Sequence, residues 1–253
     1  NIGFVAQVIP RDFVPRPFPV LGEATDEQLT GWLASPSAVY RLHSQRELLR
    51  RTPDISRLEK IVELARDDSA PLYGRAAAVF TINQFPQFDV IEILVELAKM
   101  PGIREVTLRA LTDHVDRLER VPAAPLVAAL RDENPRVRAQ ALISLGRPGK
   151  VETAEAILPL TIREQGSSLP TREPVFNQPD PGRVIPHLAV QALVAVNGVQ
   201  ASLKGLAGPS HDGAQWALKY MHSTQAVEGL VKLLSTQRDD DRRRATLTTL
   251  VRL

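Results

Sequence analysis

Apolar residues recur along the chain at spacings that predict paired amphipathic helices. In the stretch PRVRAQALISLG, the small residue Ala141 is followed by Leu142 and Leu145, which places the three side chains on one helical face. The same template of a small residue and two positions, one and four places later, recurs at Ser44/Gln45/Leu48, Ala78/Val79/Ile82, Ala110/Leu111/His114, Ala192/Leu193/Val196, Ala217/Leu218/Met221 and Thr246/Leu247/Leu250. Gln45 and His114 are the two weak matches.

The small residues of the template, from Ser44 to Thr246, lie 34, 32, 31, 51, 25 and 29 positions apart. The units therefore follow a period of about 30 residues, with one stretched spacing that indicates an insertion. Each small residue is preceded by an amphipathic segment, at residues 26–33, 55–65, 90–100, 123–131, 153–160, 201–206 and 226–234. Two helices per unit are the result.

Helix breakers separate these segments, as at residues 35–36, 132–135 and 208–209. Asn134 is suited to cap a helix whose first turn contains Pro135. Where the second helix of a unit crosses its neighbours, a small side chain lets the two backbones approach. We therefore predict an all-α superhelical solenoid of about seven helix pairs over residues 23–253, with a concave surface.

The stretch LVAALRDENPRVRAQALISLG resembles a HEAT repeat, in which a Leu-rich helix, an Asp turn and a Val-Arg, Ala-Leu helix follow one another. Asp132, Val137 and Arg138 stand at the matching positions. In that family the turn Asp and the helix Arg tend to form ladders between stacked repeats, and the resemblance implies such a ladder here. Its arginines are Arg41, Arg75, Arg138 and Arg243, and it is interrupted at Thr107, Ala189 and Ala214.

Composition excludes several kinds of site. The chain has no cysteine, so disulfides, thiolate metal sites and a cysteine nucleophile are absent from it. No apolar run approaches the length of a membrane span. Its 31 Lys and Arg nearly balance 29 Asp and Glu, and the charged run RDDDRRR mixes both signs, so we expect no nucleic-acid partner.

Catalytic and metal-binding patterns do not appear. The five histidines show neither an i, i+4 pair nor an H-E-x-x-H arrangement, so we expect no metal site and no cofactor in this segment. His187 follows Pro186 near a predicted helix start, where capping or an interface contact is expected. Trp216 and Tyr220 lie four positions apart on one helix, where they either pack that helix or form an aromatic binding patch.

Two segments depart from the helical pattern. Residues 1–22 alternate like a strand over 4–9 and then contain several prolines, which predicts an extended arm that either leaves a preceding domain or is an ordinary N-terminal arm. Residues 163–183 contain four prolines and no helical period. With Phe176 as an apolar anchor, we expect this insertion to fold back on the solenoid or to dock a neighbouring domain.

Longer phrases resemble a narrower family. The stretches at 3–10, 33–51, 179–198 and 213–234, among them PDPGRVIPHLAVQALVAVNG and GAQWALKYMHSTQAVEGLVKLL, are similar to the HEAT region of PVC-type membrane-bound dehydrogenase-like proteins of planctomycetes and their relatives. The resemblance implies a periplasmic parent protein with a sugar-dehydrogenase-like β-propeller, possessing a quinone cofactor, before this region. A c-type haem domain often follows. Neither set of functional residues maps onto this chain.

From these patterns we predict a scaffold segment that is not itself an enzyme and that binds a protein or the neighbouring domains of a larger oxidoreductase. A free-standing HEAT-repeat adaptor is the alternative. An enzyme with a site across the concave face is a third hypothesis, which a cofactor or metal in the purified segment would favour.

Overall fold

A computed structural model describes residues 11–12, 14, 17–85, 87–163 and 181–253. Within these ranges the chain forms fourteen α-helices, short 3-10 helices and turns, and no strand. The helices follow one another as pairs: α1 (Asp26–Leu33) with α2 (Ala38–Arg50), α3 (Ile55–Arg66) with α4 (Leu72–Asn83), α5 (Ile91–Leu97) with α6 (Arg104–Leu111), α7 (Ala123–Ala129) with α8 (Pro135–Gly146), α9 (Ala154–Ile157) with α10 (Val184–Ala195), α11 (Val199–Gly205) with α12 (His211–Leu218), and α13 (Thr224–Thr236) with α14 (Asp240–Leu250). The predicted all-α, HEAT-like solenoid of about seven helix pairs is confirmed.

The second helices of the pairs form a continuous row. Each of α2, α4, α6, α8, α10 and α12 packs against the next second helix, while each also packs on the first helix of its own pair. The small template residues lie at these crossings and all are buried: Ser44, Ala78, Ala110, Ala141, Ala192, Ala217 and Thr246. We call α2, α4, α6, α8, α10, α12 and α14 the second-helix row. Stacking buries an apolar face that no single pair could bury alone.

Polar side chains also fix the register between neighbouring units. The hydroxyl of Ser144 donates to the Leu108 carbonyl at 2.9 Å and accepts from the Thr112 hydroxyl at 3.1 Å. One turn further on, Arg147 donates to Asp113 at 2.6 Å. Because Ser144 is fully buried and belongs to α8, these bonds fix α8 against α6 at a single position along its length.

Local sequence explains how the helices begin and end. Asn134 accepts from the Arg136 N–H, with Pro135 in the first turn of α8, as its sequence predicts. At the other end of a helix, Asn197 adopts a left-handed conformation with φ of 52° after α10. The next N–H, that of Gly198, then donates to the Leu193 carbonyl at 2.9 Å and closes the helix.

Two predicted helical segments are shorter than expected. The segment 153–160 is helical only over α9 and continues as a 3-10 helix, Leu158–Thr161, because Pro159 has no N–H to donate to the preceding turn. The template residue His114 was expected inside a helix. It lies after the end of α6, where the N–H of Thr112 instead bonds to the Arg109 carbonyl in a tightened last turn.

The N-terminal end of the stack is linked by ion pairs. Asp26 of α1 accepts from Arg51 at 2.7 Å and from Arg57 at 2.9 Å, and so joins the first two units. Arg51 also pairs with Glu47 at 3.0 Å. Hydrogen bonds from Arg50 and Arg51 outweigh the effect of burial and lower the pKa of Glu47.

An extended stretch, residues 17–20, precedes the first unit, and its aromatic side chain packs on the second-helix row. The Phe18 ring lies 4.9 Å from the Tyr40 ring and 5.3 Å from the His43 ring, measured between centroids. Both partners belong to α2. We call Phe18, Tyr40 and His43 the N-terminal ring cluster.

Candidate functional site

A groove runs along α12, at the C-terminal part of the second-helix row. Its floor is formed where α12 meets the 3-10 helix Leu158–Thr161 at very short range. A side chain at Gly213 would place its Cβ 2.3 Å from the Cβ of Thr161, so only glycine permits this contact. The contact positions the first turn of α12 beside α10, and a cavity of about 710 Å³ lies between them.

Two aromatic rings line this cavity. His187, in the first turns of α10, and Trp216, in the middle of α12, have ring centroids 5.8 Å apart at an interplanar angle of 55°. Trp216 leaves 43% of its surface exposed, although it contacts its neighbour. The ring pair is therefore partly packed and partly accessible to a further group.

A second cavity, of about 500 Å³, lies on the other side of Trp216. Lys219, Tyr220, His222 and Arg252 complete its lining. Tyr220 was expected on the same helix as Trp216 but lies in the turn after the end of α12, and with 54% of its surface exposed it is not a core residue. Trp216 thus forms a ridge between two adjoining cavities, and we call the two cavities together the Trp216 groove.

Basic side chains outnumber acidic ones among the described residues that line the Trp216 groove. Arg163 and Arg183 lie at one end, Lys219 and Arg252 lie at the other, and Asp212 is the acidic residue among them. Lys219 and Arg252 form no ion pair with any residue in the described part of the chain. The groove combines exposed aromatic surface with cationic side chains, a composition typical of protein interfaces.

Three of the residues singled out in the sequence come together here. His187, Trp216 and Tyr220 all belong to the groove lining, and His187 contacts Trp216 directly. Phe176 lies outside the described residues, as does most of the predicted insertion, residues 164–180. The interaction role of the three described residues stays a prediction.

Sequence reasoning did not identify Lys219 or Arg252 as groove residues. Their positions become significant only because α12 and α14 are adjacent in the second-helix row, which brings residues 33 positions apart to one cavity. One signal in the sequence could have pointed to this surface. The template fixes which face of a second helix is buried, so the positions of Trp216 and Lys219 relative to the small residue Ala217 indicate that they lie away from the core.

The arginines predicted to form a ladder make other contacts. They donate to backbone carbonyls of their own units: Arg41 to Ser35 at 2.7 Å, Arg75 to Ala65 at 3.0 Å, Arg138 to Asp132 at 2.9 Å and Arg243 to Gln237 at 2.9 Å. The expectation that these four arginines form a ladder between repeats is therefore corrected. Carbonyls at the end of a first helix lack helical partners, and the first turn of the second helix lies within reach of them.

Ion pairs between units are supplied by other residues. They include Arg136 with Glu105 at 2.9 Å, Arg147 with Asp113 at 2.6 Å and Lys204 with Glu155 at 3.0 Å. The turn residue Asp132 does bridge units, but its partner is Arg104 of the preceding unit. Partial burial opposes ionisation of Asp132, and hydrogen bonds from the Asn134 N–H and from Arg104 outweigh it, so its pKa is lowered.

Two further searches concern the described residues alone. No group of three or more His, Cys, Asp or Glu side chains there is arranged to hold a metal ion. No helix there is both long enough and apolar enough to cross a membrane.

Comparison with known proteins adds a structural likeness. No protein family matches the chain, and no curated protein matches it. The chain is similar to a solved structure, the complex of CpcE and CpcF of phycocyanin lyase from Nostoc sp. PCC7120, with 15% sequence identity and a TM-score of 0.39. The likeness covers 96% of this chain and 99% of that one.

This comparison corrects one prediction. The sequence led us to expect a segment that is not an enzyme, and that expectation is wrong as stated. The solved structure to which this chain is similar is that of a lyase complex. A fold by itself neither assigns nor excludes an activity.

Proposed function

We propose that this chain is a HEAT-like scaffold that holds a protein partner, or a neighbouring domain of its own polypeptide, at the Trp216 groove. One observation carries the proposal: Trp216 packs against His187 and yet is exposed over 43% of its surface, between two cavities. Aromatic side chains held in place at the centre of a groove are typical of the residues that dominate binding energy at protein interfaces.

Three features support this choice of surface. The rigid elements α10 and α12 position the rings, so little conformational entropy is lost when a partner binds. The cavities have a combined size that accommodates several side chains of a partner. Exposed apolar residues elsewhere on the second-helix row, such as Ile143, line neither of these two cavities.

Site-specific photo-crosslinking tests the proposal. A benzophenone amino acid replaces Trp216 in the full-length protein within its native host, and the adducts are identified by mass spectrometry. The matched control carries the same group at Val231, an exposed apolar residue on the first helix α13. We expect one recurring partner protein or domain from position 216 and none from position 231. No adduct, or the same adducts from both positions, would contradict the proposal.

The identity of the parent protein is a separate part of the proposal. The resemblance of residues 33–51, 179–198 and 213–234 supports a PVC-type dehydrogenase-like parent, located in the periplasm or another extracytoplasmic compartment. A free-standing adaptor is the alternative. Sequencing the complete gene distinguishes them, because propeller repeats upstream of Asn1 are expected only for the dehydrogenase-like parent. That this segment holds no cofactor stays a prediction, which an absorption spectrum and a metal analysis of the purified segment would check.

A further inference from the structure

The N-terminal ring cluster shows how an extended segment binds to this solenoid. Phe18 lies between Pro17 and Pro19 in an extended stretch, and its ring packs on Tyr40 and His43 of α2. His43 is the residue directly before the small template residue Ser44. A ring from outside the second-helix row therefore packs at a defined position of the repeat, on a ring that a second helix presents.

Trp216 occupies the same position of its own repeat, directly before the small residue Ala217. Its ring packs on His187 of the neighbouring second helix, as His43 packs on a ring contributed by the arm. In the described part of the chain, no ring from outside α10 and α12 packs on this pair. The two sites share the position in the repeat and the kind of side chain, and differ in whether an extended segment covers them.

Charge indicates the chemistry of a segment that would cover Trp216. Over the whole chain, 31 basic residues nearly balance 29 acidic ones. The cavity beside Tyr220 departs from this balance, because its described lining includes Lys219 and Arg252 and no carboxylate. A local excess of positive charge attracts acidic segments and disfavours basic ones.

We propose that the Trp216 groove binds an extended, acidic segment of the partner protein, which places one aromatic side chain against Trp216 in the manner of Phe18 on α2. The inference rests on the proposed function and names the chemistry of the partner. The aromatic side chain supplies most of the affinity, because it is the part that becomes desolvated. The acidic residues set the orientation and the rate of association through Lys219 and Arg252.

Fluorescence anisotropy with short synthetic peptides tests this inference. The probe peptide is labelled with fluorescein and carries one Phe between two prolines, with Asp and Glu on both sides. The first comparison peptide has Ala in place of Phe, and the second has Lys in place of every acidic residue. We expect both changes to weaken binding about tenfold or more, and we expect added salt to weaken binding of the acidic peptide.

Protein variants locate the binding site. Trp216→Ala is expected to weaken binding of the acidic Phe peptide about tenfold, and Lys219→Glu combined with Arg252→Glu to weaken it by a similar factor. Val231→Ala, on the exposed face of α13, is the matched control and should leave the affinity unchanged. The charge-reversal variant alters the half-buried Lys219 and the exposed Arg252, neither of which is a core residue, so it tests the inference even if Trp216→Ala lowers the stability of the fold.

Several outcomes would overturn the inference. The acidic and basic peptides could bind equally well, or the Phe and Ala peptides could bind equally well. Trp216→Ala could leave binding of the acidic Phe peptide unchanged. A single-stranded oligonucleotide could bind more tightly than the peptide. If photo-crosslinking at position 216 still identifies a partner, the proposed function stands and this inference alone fails. If the acidic Phe peptide binds at the groove while no partner is cross-linked, the proposed function fails and the groove chemistry stands.

Discussion

The N-terminal and C-terminal parts of the second-helix row present aromatic or imidazole rings at the same position of the repeat, but only the N-terminal ring is covered within the described chain. At the N-terminal end, Phe18 packs on His43, and Asp26 joins the first two units through Arg51 and Arg57. At the other end, Trp216 packs on His187 and remains open to a large cavity.

The difference separates what holds the solenoid together from what it presents. Both regions contain the buried small residue of the template, Ser44 in one and Ala217 in the other. The template therefore specifies packing at that position and does not restrict the type of the residue before it. The preceding residue, His43 or Trp216, points away from the core in both units and contributes to the chemistry of the surface there. A repeat fold can therefore vary its binding surface, unit by unit, without changing its core.

The strongest test disrupts the core that both regions share. Ala141 is fully buried between α6 and α8, and Ala141→Trp is expected to destabilise the protein by about 3 kcal/mol through overpacking. Thermal and urea unfolding measure the effect. Ile143→Trp, two positions away at an exposed site, is the control and should change stability little. An unchanged melting temperature for Ala141→Trp would show that the template is assigned in the wrong register.

A pair of matched substitutions distinguishes the linked end from the open end. Asp26→Asn removes a carboxylate shared by two arginines, of which Arg57 is buried, and is expected to destabilise the protein by about 2 kcal/mol. Asp212→Asn, in the Trp216 groove, alters a fully exposed carboxylate whose one ion pair among the described residues is with His211, and should leave the stability unchanged. Urea unfolding of both variants measures the contrast, and equal losses would remove it.

The sequence predicts the helical stack well because its main signal is local. A small residue such as Ala141 and the apolar residues after it can only be buried on one face of a helix, and seven copies of that arrangement require neighbours that bury them. The lengths of α6 and α9 are less predictable, because Thr112 and Pro159 alter single turns without changing the apolar period.

The candidate site is predictable only in part. Trp216 and His187 stand out by residue type, but their contact depends on how closely α10 and α12 approach, which Gly213 sets through its contact with Thr161. The contribution of Arg252 depends on how close the residues after α14 come to those after α12, which the repeat template does not specify. The prediction of an inter-repeat ladder for the template arginines was wrong for a similar reason. A long arginine side chain reaches the carbonyls of its own unit as readily as the acidic groups of the next unit.

The smallest expected effect concerns the covering segment itself. Phe18→Ala removes one ring from the N-terminal ring cluster and should lower the stability by about 1 kcal/mol, since Phe18 keeps 44% of its surface exposed. Val20 is already 66% exposed, but release of the arm should let the backbone around it enter the active site of elastase and so speed cleavage there, which limited proteolysis measures. Trp216→Ala is the matched control, because no arm covers Trp216 in the described chain, and it should leave cleavage at Val20 unchanged.

Equal cleavage of wild type and Phe18→Ala would mean that Phe18 does not hold the arm. The arm would then give no precedent for an aromatic segment in the Trp216 groove.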